Sequence, residues 1–206
     1  MLAAGAGCLA AVAVLGLAVG HRATWLDRAA SDATRDLLPP ESRLVQVLSS
    51  EVGWPPGAYL MALLPLVAAA AFLAGEVRQH GVPAMFARWR WLLLTVAAVP
   101  FHYALRVAFG RPGPGEVPEG PLYVGAYPSG TALAVALGWT VGVLVVGAHR
   151  PRWRPVLLAA TAGALVLHLG VRAVTDKHWA TDIIGSYLLA AGAILLAGSS
   201  RARPGA

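Results

Sequence analysis

Apolar residues gather into six long runs along this chain, at 2–20, 57–75, 91–109, 130–148, 155–171 and 180–199. Each is close to the roughly 20 residues that an α-helix needs to cross the hydrocarbon layer of a bilayer. The pattern predicts an all-α integral membrane protein, a six-helix bundle forming one domain over 1–206. The first run lacks a basic start and is longer than a usual signal-peptide core, so it reads as a span rather than a cleaved leader. In the polar segment 21–56, Leu26, Ala29, Ala30 and Ala33 alternate with Asp27, Arg28, Asp32, Arg35 and Asp36. That spacing predicts a short amphipathic helix lying in the membrane interface. Pro39-Pro40 ends it, Leu44, Val45, Val47 and Leu48 predict a second interfacial turn, and Trp54 suits the boundary layer.

Composition agrees with the pattern. Hydrophobic residues make up 57% and charged residues 13% of the chain, and the mean hydropathy is +0.63, too apolar for the surface of a soluble domain of this length. The formal net charge of +6 would suggest nucleic acid in a soluble protein. Here the basic residues sit in short connections between apolar runs, with no basic stripe interleaved with aromatics, so nucleic acid is not the expected partner. Cys8 is the single cysteine, which excludes a disulfide framework and a thiolate metal site.

Arginine placement gives an orientation. Arg78, Arg88 and Arg90 fall in 76–90, Arg150, Arg152 and Arg154 in 149–154, and Arg201 and Arg203 in the tail. By the positive-inside rule these regions face the cytoplasm. The opposite side carries as many basic residues, but they are spread over a long loop or lie among the candidate site residues. The expectation is a multi-pass protein of the plasma (cytoplasmic) membrane with both termini inside. Segments 21–56, 110–128 and 172–179 then face outward.

Candidate chemistry is confined to that outer side. Arg172, His178 and Asp182 lie between the last two apolar runs. The four-residue spacing of His178 and Asp182 puts them on one face if a helix starts there. A carboxylate so placed can accept the Nδ1 proton, leaving Nε2 as a base or nucleophile beside an arginine that holds an anion. The alternative is a helix start whose His and Asp sit in the headgroup layer. At the outer end of the third run, His102, Arg106 and Arg111 occur in Phe101–Pro114; arginines there either bind an anion or snorkel to the interface. Tyr127-Pro-Ser-Gly-Thr131 opens the fourth run, and its helix N-terminus is either a phosphate site or an ordinary Ser cap.

Together these three segments resemble the type 2 phosphatidic acid phosphatase superfamily of lipid phosphatases, related in fold to vanadium haloperoxidases. Its pattern is Lys-x6-Arg-Pro, then Pro-Ser-Gly-His, then Ser-Arg-x5-His-x3-Asp. Arg172-x5-His178-x3-Asp182 matches the third motif and Pro128-Ser129-Gly130 the second, in the family's order and at the outer ends of the expected helices. Three departures stand out. Arg106 falls in the lysine slot of the first motif with Gly113 and Pro114 in the Arg-Pro slots, so Arg111 is the candidate for the missing charge. Val171 replaces the serine of the third motif. Thr131 replaces the histidine that the family uses to protonate the leaving oxygen, and a threonine hydroxyl cannot act as that acid.

The resemblance implies a metal-free, cofactor-free reaction. His178 attacks phosphorus to form a phosphohistidine, Asp182 holds its tautomer, and Arg106, Arg111, Arg172, Ser129 and Gly130 bind the phosphoryl oxygens. His102 and His168, each four residues before an arginine, are alternative acids or supporting residues beside Thr131. The expected function is hydrolysis of a lipid phosphate or diphosphate monoester, of polyprenyl diphosphate or phosphatidic acid type. The partners expected are that lipid and the surrounding membrane. The other readings are a non-catalytic binder of phosphorylated headgroups and a lipid phosphotransferase.

Overall fold

The computed structural model describes residues 1–37, 39, 41–47, 55–116, 123–175 and 178–199. Its elements, in order, are α1 (Leu2–Val19), α2 (Trp25–Leu37), α3 (Arg43–Val47), α4 (Pro55–Trp89), a 3₁₀ turn Arg90–Leu92, α5 (Leu93–Val96), α6 (Ala98–Phe109), α7 (Gly130–His149), a 3₁₀ turn Pro151–Trp153, α8 (Arg154–Val174) and α9 (Ala180–Ser199). There is no strand among the described residues. The two short helices expected in 21–56 are α2 and α3. Pro40, Leu48, Trp54 and the tail arginines lie outside the described residues.

All six apolar runs fall on helix, but among the described residues five helices rather than six are long and apolar enough to cross a membrane. The run expected at 91–109 is divided at Ala97 into α5 and α6. Pro100 supplies the reason: it has no N–H to bond the carbonyl four residues back, so it is accommodated in the first turn of a restarted helix. A second difference concerns 76–90, expected as a loop. Helix continues through it to Trp89, interrupted at Gly81, whose φ of 79° and ψ of 163° are not helical. Only glycine enters that region readily, and Pro83 then lies in the first turn after the break.

Burial separates centre from rim. In the apolar windows of α7 and α9, 61% and 56% of residues are buried, against 22% for the spans formed by α1, α4 and α8. The outer faces carry Leu17, Leu60, Leu64, Val67, Val156, Leu158 and Val166, all more than half exposed. In water such a belt would be a liability, whereas in a bilayer it meets a solvent of its own kind. Packing depends on small residues, because lipid tails supply no hydrophobic drive between helices. A Cβ at Gly138 of α7 would lie 2.6 Å from the Ala62 carbonyl oxygen of α4, so the backbones touch there.

The two ends of the bundle are closed differently. At one end Glu76 of α4 accepts from Arg88 (3.1 Å) and Trp89 Nε1 (2.7 Å), and lies 3.2 Å from His149 Nε2 of α7. At the other end Tyr127 is fully buried, and its hydroxyl donates to the Val12 carbonyl of α1 at 2.5 Å. The candidate residues gather at this second end.

Candidate active site

Local rules place the first pair. α8 ends at Val174 and α9 begins at Ala180, and His178 lies between them. Asp182 sits in the first turn of α9, where its Oδ2 accepts the Trp179 N–H at 3.0 Å. An acid three residues past the cap satisfies an otherwise orphaned donor and opposes the positive helix end. His178 turns Nδ1 toward Asp182 Oδ2 at 3.7 Å. That is an ion-pair distance but too long for a hydrogen bond, and Nδ1 has no hydrogen-bond partner among the described residues.

The opening of α7 is stitched to the same place. Ser129 caps the helix, its Oγ accepting the Ala132 N–H at 3.4 Å, while its own N–H donates to the Asp182 carbonyl at 3.1 Å. Ser186 of α9 donates to the Ser129 carbonyl at 2.8 Å. The peptide before Pro128 is cis. Arg172 Nη2 donates to Thr131 Oγ1 at 3.0 Å, and that hydroxyl is also 3.3 Å from Ser129 Oγ. The second and third motif segments are thus in direct contact, with Thr131 bridging them.

The remaining candidates divide. His102 Nε2–H donates to the Pro128 carbonyl at 3.0 Å, and its ring packs on Gly130, so it props the turn that starts α7. His168 Nδ1 lies 3.3 Å from the Tyr187 hydroxyl. That hydroxyl gives its proton to the Leu165 carbonyl, so Nδ1 is the donor. Arg106 donates through Nε to the Gly125 carbonyl and through Nη2 to Val124. Arg111, expected to supply charge for phosphate, is fully enclosed. Its Nη1 is 2.6 Å from Asp182 Oδ1 and its Nη2 2.6 Å from Asp27 Oδ2. Both terminal nitrogens are therefore committed to carboxylates, anions of the same kind as the phosphate expected for them. Among the described residues no group of three or more His, Cys, Asp and Glu is arranged to hold a metal ion.

No family model matches the sequence, and no curated protein matches it either. The fold is informative where the sequence is not. It superposes on the crystal structure of a transmembrane PAP2-type phosphatidylglycerolphosphate phosphatase from Bacillus subtilis with a TM-score of 0.69, covering 96% of this chain and 95% of that one at 19% identity. The chain has a PAP2-type fold. It is a membrane protein whose PAP2 fold brings together, at one end of the bundle, the helix ends that carry Arg172, His178, Asp182 and Ser129–Thr131.

Electrostatics around His178 follow from this enclosure. Burial lowers its pKa; Asp182 opposes that shift, and Arg172 and Arg106 add to it. Its side chain is 13% exposed, enough for an edge to be reached from outside. In the segment between α6 and α7, Glu116 accepts from the Gly113 N–H (2.9 Å) and the Tyr123 hydroxyl (2.5 Å). Burial would raise the Glu116 pKa, but those donors, with His178 and Arg106, hold it below the usual carboxylate range. Tyr123 is pushed up to about 12 by burial and by Glu116.

Sequence reasoning missed Asp27 at this site. The segment Thr24-x-x-Asp27 is a capping-box signature, and it announces the start of α2 without saying that the carboxylate is buried. Trp179 was also missed. Its Nε1 donates to the Pro112 carbonyl at 2.9 Å, and its ring lies 5.8 Å from the Arg111 guanidinium carbon, sealing that cation from solvent.

Proposed function

We propose that this chain is a membrane lipid phosphatase that cleaves the terminal phosphate of a lipid phosphate or diphosphate through a phosphohistidine on His178. One observation carries the reading: His178 has Nδ1 toward Asp182, which leaves Nε2 as the nucleophile. Nε2 bonds to phosphorus while the bond to the leaving oxygen breaks, and water then releases phosphate and restores the imidazole. Arg172 and Arg106, with the Ser129–Gly130 end of α7, stabilise the phosphoryl oxygens as charge shifts onto them. Asp182 holds the tautomer; Arg111 acts through Asp182 rather than on phosphate. Arginine placement supports an outward-facing site in the plasma membrane with the N-terminus inside.

Thr131 narrows the substrate. His102 donates to the Pro128 carbonyl, His168 donates through Nδ1 to the Tyr187 hydroxyl, and Thr131 is no acid, so the leaving group departs without a strong proton donor. An alkoxide leaving a lipid monophosphate is very basic. A lipid monophosphate leaving a diphosphate is much less so, and arginine charge suffices. The Bacillus subtilis protein is described as acting on phosphatidylglycerolphosphate; for this chain we favour a lipid diphosphate such as a polyprenyl diphosphate.

A second reading, binding of phosphorylated headgroups without turnover, is favoured by the 3.7 Å gap between His178 and Asp182 and by the missing acid. Phosphate release in detergent from a panel of lipid phosphates and diphosphates separates the two. The phosphatase reading expects release that is abolished in His178→Ala; binding of the same lipids with no release by the wild type would leave the second reading.

A further inference from the structure

Asp27 first satisfies its own helix. The Thr24 N–H and hydroxyl donate to Oδ2, each at 2.9 Å, and Thr24 Oγ1 accepts the Asp27 N–H at 3.2 Å. Such a box belongs at a solvated helix start, yet Asp27 is 1% exposed. Its Oδ1 accepts the Thr181 N–H at 2.9 Å and the Thr181 hydroxyl at 2.8 Å. The carboxylate of α2 therefore caps α9 across the site, while Oδ2 takes the Arg111 guanidinium.

Charge counting shows what this does. Two buried carboxylates, Asp27 and Asp182, share one buried guanidinium, Arg111. One negative charge remains over. Without Asp27, Arg111 would be balanced by Asp182 alone, and the carboxylate facing His178 would be spent. We propose that Asp27 is the counter-ion of Arg111 and, through it, a positioning residue that keeps the charge of Asp182 available to His178. The imidazole becomes cationic as Nε2 gives its lone pair to phosphorus, and a carboxylate beside Nδ1 lowers the energy of that state. The Trp179 cover keeps water from Arg111, and charges in so dry a place act strongly on one another.

The other charges that face His178 are Arg172 and His168 of α8, Arg106 and His102 of α6, and Glu116 of the segment between α6 and α7. Asp27 itself borders a void of about 10 Å³ with His178 and Trp179. The carboxylates ion-paired to Arg111 are Asp27 and Asp182, so altering Asp27 and Arg111 addresses the relation directly.

The role in turnover rests on the phosphatase reading, whereas the charge relation does not. The test is therefore an NMR titration of the His178 imidazole in detergent micelles, assigned by the signal lost in His178→Ala. Asp27→Asn keeps an acceptor for Thr181 but removes the charge, and should lower the His178 midpoint by about one unit. Arg111→Gln should raise it. The double variant should return close to the wild type. An unmoved midpoint in Asp27→Asn, or shifts of the same sign in both single variants, would overturn the proposal. If Asp27→Asn does not fold, Arg111→Gln compared with the double variant isolates the same charge, and equal midpoints there would overturn it too. In turnover, Asp27→Asn should lower kcat about tenfold, the equivalent of one pKa unit, with KM little changed. Loss through misfolding would instead scale with the folded fraction and leave the midpoint in place. A wild type that releases no phosphate would remove the phosphatase reading and leave the titration to decide the rest.

Discussion

Asp182 lies closer to Arg111 than to His178: Oδ1 is 2.6 Å from Arg111 Nη1, and Oδ2 is 3.7 Å from His178 Nδ1. The carboxylate that faces His178 is thus anchored from behind by a buried cation. Arg111→Met would leave Asp27 and Asp182 enclosed without that cation. Removing one partner of a buried ion pair typically costs about 3–5 kcal/mol, so the melting temperature in detergent should fall well below that of Arg90→Ala, a change at an exposed position. A variant that kept wild-type stability and lost only phosphate affinity would return Arg111 to the phosphate-binding role.

The depressed pKa of His178 sets the acid side of the rate profile. In the proposed mechanism its neutral form is the nucleophile, and burial favours that form. The acid limb of kcat/KM should therefore lie below the ordinary histidine value of about 6.5. Stability follows the same sign: below that value the unfolded chain takes up the proton first, so the contribution of this group is lost as pH falls through the folded pKa. An acid limb above 6.5 in the wild type, absent from a variant that retains other titrating groups, would contradict the burial argument.

Thr131 offers a gain-of-function test. Its Oγ1 already receives Arg172, so an imidazole there would stand beside the proposed phosphoryl site. General acid help is typically worth about 10² to 10⁴ in rate, and it matters most for a basic leaving group. Thr131→His should raise monophosphate hydrolysis much more than diphosphate hydrolysis. Equal gains on both, or a wild type that prefers monophosphates, would falsify the leaving-group argument.

Orientation is tested by chemistry on intact cells. In a Cys8→Ser background, Asp32→Cys on the exposed side of α2 should react with an impermeant thiol reagent. Ala84→Cys and Arg152→Cys should be protected until the membrane is opened. The reverse pattern would put the site in the cytoplasm.

What the sequence made legible was local. Six apolar runs became helix, and Asp182 lies in the first turn of α9 while His178 precedes it, because caps and apolar periodicity depend on near neighbours. Prolines in apolar runs show the limit: the run 91–109 divides ahead of Pro100, whereas Pro65 lies inside α4 without interrupting it. The polar residues of 76–90 suggested a loop, although Glu76 to His80 favour helix and Gly81 alone interrupts it. Arg111 shows the deeper limit. Its partners are 84 and 71 residues away, and spacing cannot tell a guanidinium meant for phosphate from one that holds two carboxylates. Asp27 meets the same limit: its spacing places it on the polar face of an interfacial helix, whereas it is buried.

The most direct test of the account is to trap the intermediate. The purified protein would be mixed in detergent with a lipid diphosphate carrying radiolabel in its terminal phosphate and quenched within a turnover. The account predicts acid-labile, base-stable label on the wild-type chain, located at His178 and absent from His178→Ala. Equal label in His178→Ala, or label on another residue, would contradict it.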